Sequence, residues 1–118
     1  MSTLAIVGSR SYPNLEQVRE FVRSLPDSTV VLSGGAAGVD HAAVKEAKAC
    51  GLATVVIRPA YEMHGKEAPL IRNKAIAEQC DSLVAFWDGT STGTAHVMRC
   101  AKRLGKSVRA LTPRDARP

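Results

Sequence analysis

A chain of 118 residues fits one domain and can bury a sizeable core. Apolar residues make up 45% and charged residues 23%, as in an ordinary globular protein, and no apolar run approaches the roughly 20 residues of a membrane span. Aromatics are scarce at 4%, which leaves little material for base-stacking platforms, and the net charge of +5 is unevenly spread.

The chain alternates strand and helix signals. Leu4-Ala5-Ile6-Val7 is a short continuous apolar run that ends at Gly8 and predicts a first strand. The opening MSTLAIVGSR turns polar too soon for a signal peptide, so a cytoplasmic protein with no membrane partner is expected. Residues 14–25 predict a helix, with Asn14 as cap and Leu15, Val18, Phe21, Val22 and Leu25 at helical spacing. A second strand over residues 30–32 ends at Ser33-Gly34-Gly35. An alanine-rich helix over 38–50 stops at Gly51. The third strand covers 53–57. The stretch AYEMHGKEA, residues 60–68, reads as a surface loop or a lid, with Tyr61 able to stack on a base. Pro69 suits the first turn of a helix over 69–79. A fourth strand over 83–87, a helix over 93–104 that stops at Gly105, and a weaker fifth strand over 108–111 complete the pattern. Trp87 reads as core or interface.

Strands apolar on both faces are covered on both sides. The expected architecture is α/β: a doubly wound parallel sheet of about five strands, order 3-2-1-4-5, with helices on both faces. Residues 1–112 form one ligand-binding domain and 113–118 a short basic tail. Residues 99–118 hold seven basic residues against Asp115, so the remaining 98 residues carry about −1. Nucleic acid could be met there through phosphates; the plainer reading is a solvated helix face and tail. Cys50, Cys80 and Cys100 are read as reduced, buried residues at helix ends, and no cysteine–histidine cluster has zinc spacing, so no metal is implied.

Two strand-to-helix turns carry the chemistry. The first is SGGAAGVD, in which Ser33, Gly34, Gly35 and Gly38 let a ligand approach the backbone and Asp40 can accept bonds from amides or a ribose hydroxyl. It is neither G-x-G-x-x-G nor a Walker loop. The second is DGTSTGT, in which Asp88, Gly89, Thr90, Ser91, Gly93 and Thr94 offer hydroxyls and free amides; an N-cap built by Ser or Thr is the structural alternative. With order 3-2-1-4-5 both turns and Gly8-Ser9-Arg10 converge on one crevice at the carboxyl edge. Arg10 can close over an anion, and Arg72 can pair with phosphate bidentately.

The strings SGGAAGVDHAA, IRNKAIAEQCDSLVAFWDG and STGTAHVMRCA, in that order, resemble the SLOG superfamily, which joins the DNA-processing protein DprA with the LOG phosphoribohydrolases. Within it the chain is most similar to the small DUF2493, or YspA-like, branch. The resemblance spans roughly residues 3–112. It implies a Rossmann-like fold, a nucleotide or nucleotide-derived ligand, the two turns as pocket walls and Arg72 as a ligand-facing arginine. LOG enzymes carry PGGxGTxxE; here the glutamate position falls on Val97 and Asp88-Gly89 stands near the Pro-Gly. Valine can neither accept a proton nor stabilise a ribosyl cation.

Three functions follow, in order. The first is a module that binds or senses a nucleotide-like small ligand, as a homo-oligomer. The second is a nucleotide-processing hydrolase or transferase, disfavoured by Val97. The third is a DprA-like binder of single-stranded DNA, disfavoured by scarce aromatics. No cofactor beyond such a ligand is implied, and no catalytic residue is assigned.

Overall fold

The computed structural model describes residues 2–115. The apolar runs become five strands: β1 (Ser2–Gly8), β2 (Thr29–Ser33), β3 (Ala53–Val56), β4 (Ser82–Phe86) and β5 (Ser107–Leu111). All pair in parallel, in the order β3-β2-β1-β4-β5. The connections are α1 (Leu15–Arg23), α2 (Val39–Ala49), a short α3 (Tyr61–His64), α4 (Ala68–Gln79) and α5 (Thr92–Arg103). The doubly wound α/β fold of the sequence reading is the fold observed.

The handedness of the crossovers sorts the helices. The path β1-β2-β3 steps one way across the sheet, so α1 and α2 cover one face. The chain then returns past β1 to β4 and β5, which places α4 and α5 on the other. Alternation along β1 serves both: Leu4 and Ile6 join Val18, Val22, Val31 and Phe86 on the α1–α2 side. Ala5 and Val7 join Leu32, Ile76, Leu83, Val97 and Met98 on the α4–α5 side. Ala5, Ala77, Ala85 and Ala101 are fully buried there, so two helices sit close to the sheet.

Local chemistry sets the helix ends. Asn14 Oδ1 accepts from Gln17 N at 3.2 Å and caps α1, as its residue type predicted. Pro69 lies in the first turn of α4. The stretch 60–68 is not an open loop: α3 is followed by a 3-10 turn, Gly65–Glu67, that leads straight into α4. Cys80 and Cys100 are buried as expected, but Cys50, at the end of α2, is exposed. Trp87 packs half-buried against the second core. After β5 a 3-10 turn spans Pro113–Asp115, and residues 116–118 of the basic tail, Arg117 included, lie outside the described residues. Among the described residues no helix is long and apolar enough to cross a membrane.

Candidate functional site

A crevice of about 390 Å³ opens at the carboxyl ends of β1 and β4, where the strand order reverses. Nine of the residues singled out from sequence line it: Gly8, Ser9, Arg10, Asp40, Arg72, Asp88, Ser91, Gly93 and Thr94. Over the divide formed by Arg10, Ala36, Pro69 and Arg72, a second hollow of about 350 Å³ continues toward β3. Gly34 and Gly35 line this hollow, together with Arg58 and Tyr61. Gly38 lines a separate depression between α1 and α2. Ser33 is fully buried and donates from Oγ to Ile6 O at 2.6 Å, tying β2 to β1. Gly89 and Thr90 are exposed on the turn after β4, and neither is among the residues lining the crevice or the second hollow.

The first glycine turn holds an anion of its own. Asp40, in the first turn of α2, accepts from Gly8 N at 3.2 Å, Gly34 N at 3.1 Å and Ala36 N at 3.3 Å. The amides expected to meet a phosphate therefore meet this carboxylate. Burial pushes the Asp40 carboxyl above its ordinary pKa, while the three amides and the nearby Arg72 charge pull the other way. The carboxylate works as a clamp that joins the ends of β1 and β2 to α2.

The glycines make room for arginines. A Cβ on Gly34 would stand 2.6 Å from Arg72 Nη1, and one on Gly35 would stand 2.8 Å from Arg58 Nη1. Arg72 Nη1 donates to Gly34 O, and Arg58 Nη1 donates to Gly35 O at 3.3 Å. Two successive carbonyls thus each hold a guanidinium. Gly38, at φ +77, lets the turn pass against the Arg10 backbone, since a Cβ there would lie 2.4 Å from Arg10 O. The turn that carries Arg10 is fixed on either side of it: Ser9 N donates to Phe86 O at 3.1 Å and Tyr12 N to Ser9 O at 3.3 Å. The Arg10 side chain is exposed. Among the described residues Arg10, Arg58 and Arg72 make no ion pair; burial lowers the pKa of Arg72, the Asp40 and Tyr61 charges oppose it, and the Arg10 charge lowers it further. Three cationic groups that make no ion pair among the described residues suit an anion from outside.

The second turn spends its polar groups on capping. Ser91 Oγ accepts from Thr94 N at 3.3 Å and lies 3.0 Å from Thr94 Oγ1. Asp88 Oδ1 accepts from Thr90 N and Ser91 N, each at 2.9 Å, and these amides hold its carboxyl below the usual carboxylate range. Asp88 N donates to Ser9 Oγ at 3.2 Å, which joins the turns after β1 and β4. What the turn presents to the crevice is the N-terminus of the 12-residue α5, whose leading amides lack intrahelical acceptors.

Asn73 follows Arg72 in the string IRNKAIAEQCDSLVAFWDG, where the resemblance points to Arg72 alone. Asn73 lines the crevice and is 6% exposed. Its Oδ1 accepts from Arg72 Nε at 2.9 Å, and its Nδ2 reaches Gly93 O at 3.4 Å and His96 Nδ1 at 3.1 Å. Asn73 therefore orients Arg72 and ties α4 to α5. His96 turns toward α4, not into the crevice. Val97 is buried and lines the crevice as an apolar wall. Arg58 had no signal in the sequence, since it is an exposed arginine after an edge strand. The basic residues at the end of α5 lie at the opposite edge of the sheet, where Lys106 Nζ donates to Cys80 O at the end of α4 and, at 3.3 Å, to Glu78 O.

The chain is similar to known proteins in sequence and in fold. The sequence model of the family described as DNA recombination-mediator protein A matches residues 1–61, from β1 through Arg10 and the glycine turn into α3. The Gene 61 protein of Mycobacterium phage D29 is 34% identical over 119 residues, covering 92% of this chain and 94% of that one. Among solved structures, DNA processing protein A (DprA) from Streptococcus pneumoniae superposes with a TM-score of 0.82 at 22% identity, over 98% of this chain and 53% of that one. DNA processing protein A from Helicobacter pylori, whose structure is described for its single-stranded DNA binding mode, gives a TM-score of 0.70 at 21% identity, over 92% and 64%. The chain thus spans about half of the first protein and under two thirds of the second. On these matches the chain belongs to the DNA recombination-mediator protein A family, within the SLOG and DprA superfamily.

Proposed function

We propose that the chain binds single-stranded DNA through its sugar-phosphate backbone, seating one phosphate in the crevice between Arg10, Arg72 and the first turn of α5. The observation that carries this reading is that Arg10 and Arg72, neither in an ion pair among the described residues, line one crevice with the N-terminus of α5. Family membership supports a strand over a free nucleotide, because the Helicobacter pylori relative is described as a binder of single-stranded DNA. Scarce aromatics weigh less than they do from sequence alone, since phosphate contacts supply much of the affinity for a strand. The crevice also has the volume of a small-ligand site, which favours a free nucleotide as the second reading. The groups on its walls support binding over cleavage: Val97 replaces the LOG glutamate, Asp40 is occupied by three amides, and Asp88 by two. We place the chain in the YspA-like branch on the same three strings that carry the resemblance.

Fluorescence anisotropy with a labelled twenty-residue oligo-dT tests the reading. Binding should weaken with salt, with a log–log slope of about −0.7 per neutralised phosphate. Arg10→Ala and Arg72→Ala should each weaken it by about tenfold. A flat salt response, or full affinity in both variants, removes the strand from the crevice. Equal affinity for a mononucleotide and the strand selects the second reading.

A further inference from the structure

The hollow beside the crevice has the makings of a second station on the same ligand path. Its floor is the Gly34-Gly35 backbone, and its walls carry Arg58 on one side and Arg72 on the other. Both guanidiniums are anchored to that backbone through Nη1, by Gly35 O and Gly34 O, and so are held in place before any ligand arrives. Arg58 has no other hydrogen bond and no ion pair among the described residues, so most of its donors face outward. Its position follows from β3: Ile57 N continues the parallel ladder by donating to Ser33 O at 2.9 Å, and Arg58 comes next on the chain.

Tyr61 supplies the other half. It opens α3, lines the hollow and is 57% exposed, although its ring could have been buried had it served the core. The chain has only two tyrosines, two phenylalanines and one tryptophan. Tyr12, Phe21 and Phe86 are spent on an edge-to-face cluster within the core, with ring centroids 5.8 Å and 5.7 Å apart. An exposed aromatic ring beside two guanidiniums that make no ion pair among the described residues offers what a nucleotide unit requires: cations for its phosphate and a flat apolar face for its base.

We infer that the hollow is a second nucleotide subsite, in which Arg58 and Arg72 hold the phosphate joining two nucleotides and Tyr61 stacks on the second base. The inference rests on the crevice seating the first nucleotide. Arg72 then belongs to both stations, which agrees with its place on the divide between them. Because stacking accepts any base, this subsite adds affinity with little sequence preference.

Calorimetric titrations with 5′-phosphorylated thymidine and with the 5′-phosphorylated dinucleotide pTpT separate the two stations. In the wild type pTpT should bind about tenfold tighter than the mononucleotide. Tyr61→Ala and Arg58→Gln should each remove most of that gain and leave the mononucleotide affinity unchanged, while Tyr61→Phe should keep it. Thermal melts of each variant confirm that the fold is intact. If pTpT gains nothing over the mononucleotide, or keeps its gain in both Tyr61→Ala and Arg58→Gln, the second subsite is refuted while the crevice stands. If the mononucleotide, pTpT and the twenty-residue strand all fail to bind, the crevice reading falls and the second subsite with it.

Discussion

Asp40 shows how one side chain can change the meaning of a motif. A glycine-rich turn before a helix suggests free amides for a phosphate, and the turn has the residues for it. The carboxylate six positions after Gly34 takes those amides instead, together with the amide of Gly8 from another strand. The spacing of Asp40 could be read from the chain, but not that β1 would bring Gly8 within its reach. Asp40→Ala leaves three donors without an acceptor and should lower stability by about 2–4 kcal/mol; Asp40→Asn, which keeps one acceptor oxygen, should cost about 1–2 kcal/mol. Urea unfolding of both variants checks the order, and equal stability of wild type and Asp40→Ala contradicts the clamp. Arg58 and Asn73 make the same point from the other side. Each is an ordinary surface-type residue in sequence, and each acquires a role from a neighbour supplied by a distant segment: the Gly35 carbonyl for one, Gly93 and His96 for the other.

At the scale of elements, the far wall of the crevice depends on how α4 and α5 are joined. Asn73 accepts from Arg72 through Oδ1, so its Nδ2 is the donor to His96, and His96 Nδ1 must be unprotonated to accept. The remaining ring nitrogen, Nε2, lies 3.6 Å from Cys100 Sγ. Burial, followed by the charges of Arg99, Arg103 and Lys74, pushes the His96 pKa below its ordinary value. The unfolded chain then binds the proton first. The contribution of His96 to stability is therefore full above the unfolded pKa, near 6.5, and is lost as pH falls through the folded value. Wild-type melting temperature should drop between about pH 7 and pH 5, and His96→Gln should flatten that part of the profile. An unchanged profile in the variant assigns the acid sensitivity elsewhere. The helix periodicity and caps were visible in the sequence, because Asn14, Pro69 and the apolar spacing act locally. The joint between α4 and α5 was not, because it forms only when both helices pack on the same face.

For the molecule as a whole, charge and topology separate two features that the sequence left together. The basic residues concentrated after position 98 invite nucleic acid, yet the crevice lies at the opposite end of α5. A helix of 12 residues is about 18 Å long, roughly twice the Debye length at physiological salt. The double variant Lys102→Glu and Arg103→Glu should therefore keep strand affinity within about threefold of wild type, whereas Arg10→Glu should reduce it by well over tenfold. A tenfold loss in the double variant would route the strand over the basic end of α5. The strand order was legible because continuous apolar runs, helical spacers and right-handed crossovers leave few alternatives. That order also placed the turns after β1 and β4 on one edge, so nine of the chosen residues share a crevice. By itself, then, the sequence determined the doubly wound sheet, its helix caps and the edge where a ligand would be met, since these follow from local periodicity and chain connectivity. The tertiary structure alone decided which polar groups are still free to meet it. Hydrogen-bond donors and acceptors in a folded chain are claimed by whatever lies nearest in space: Asp40 claimed the amides of the glycine turn, and three arginines, two of them set on that turn's own carbonyls, supply the cationic groups.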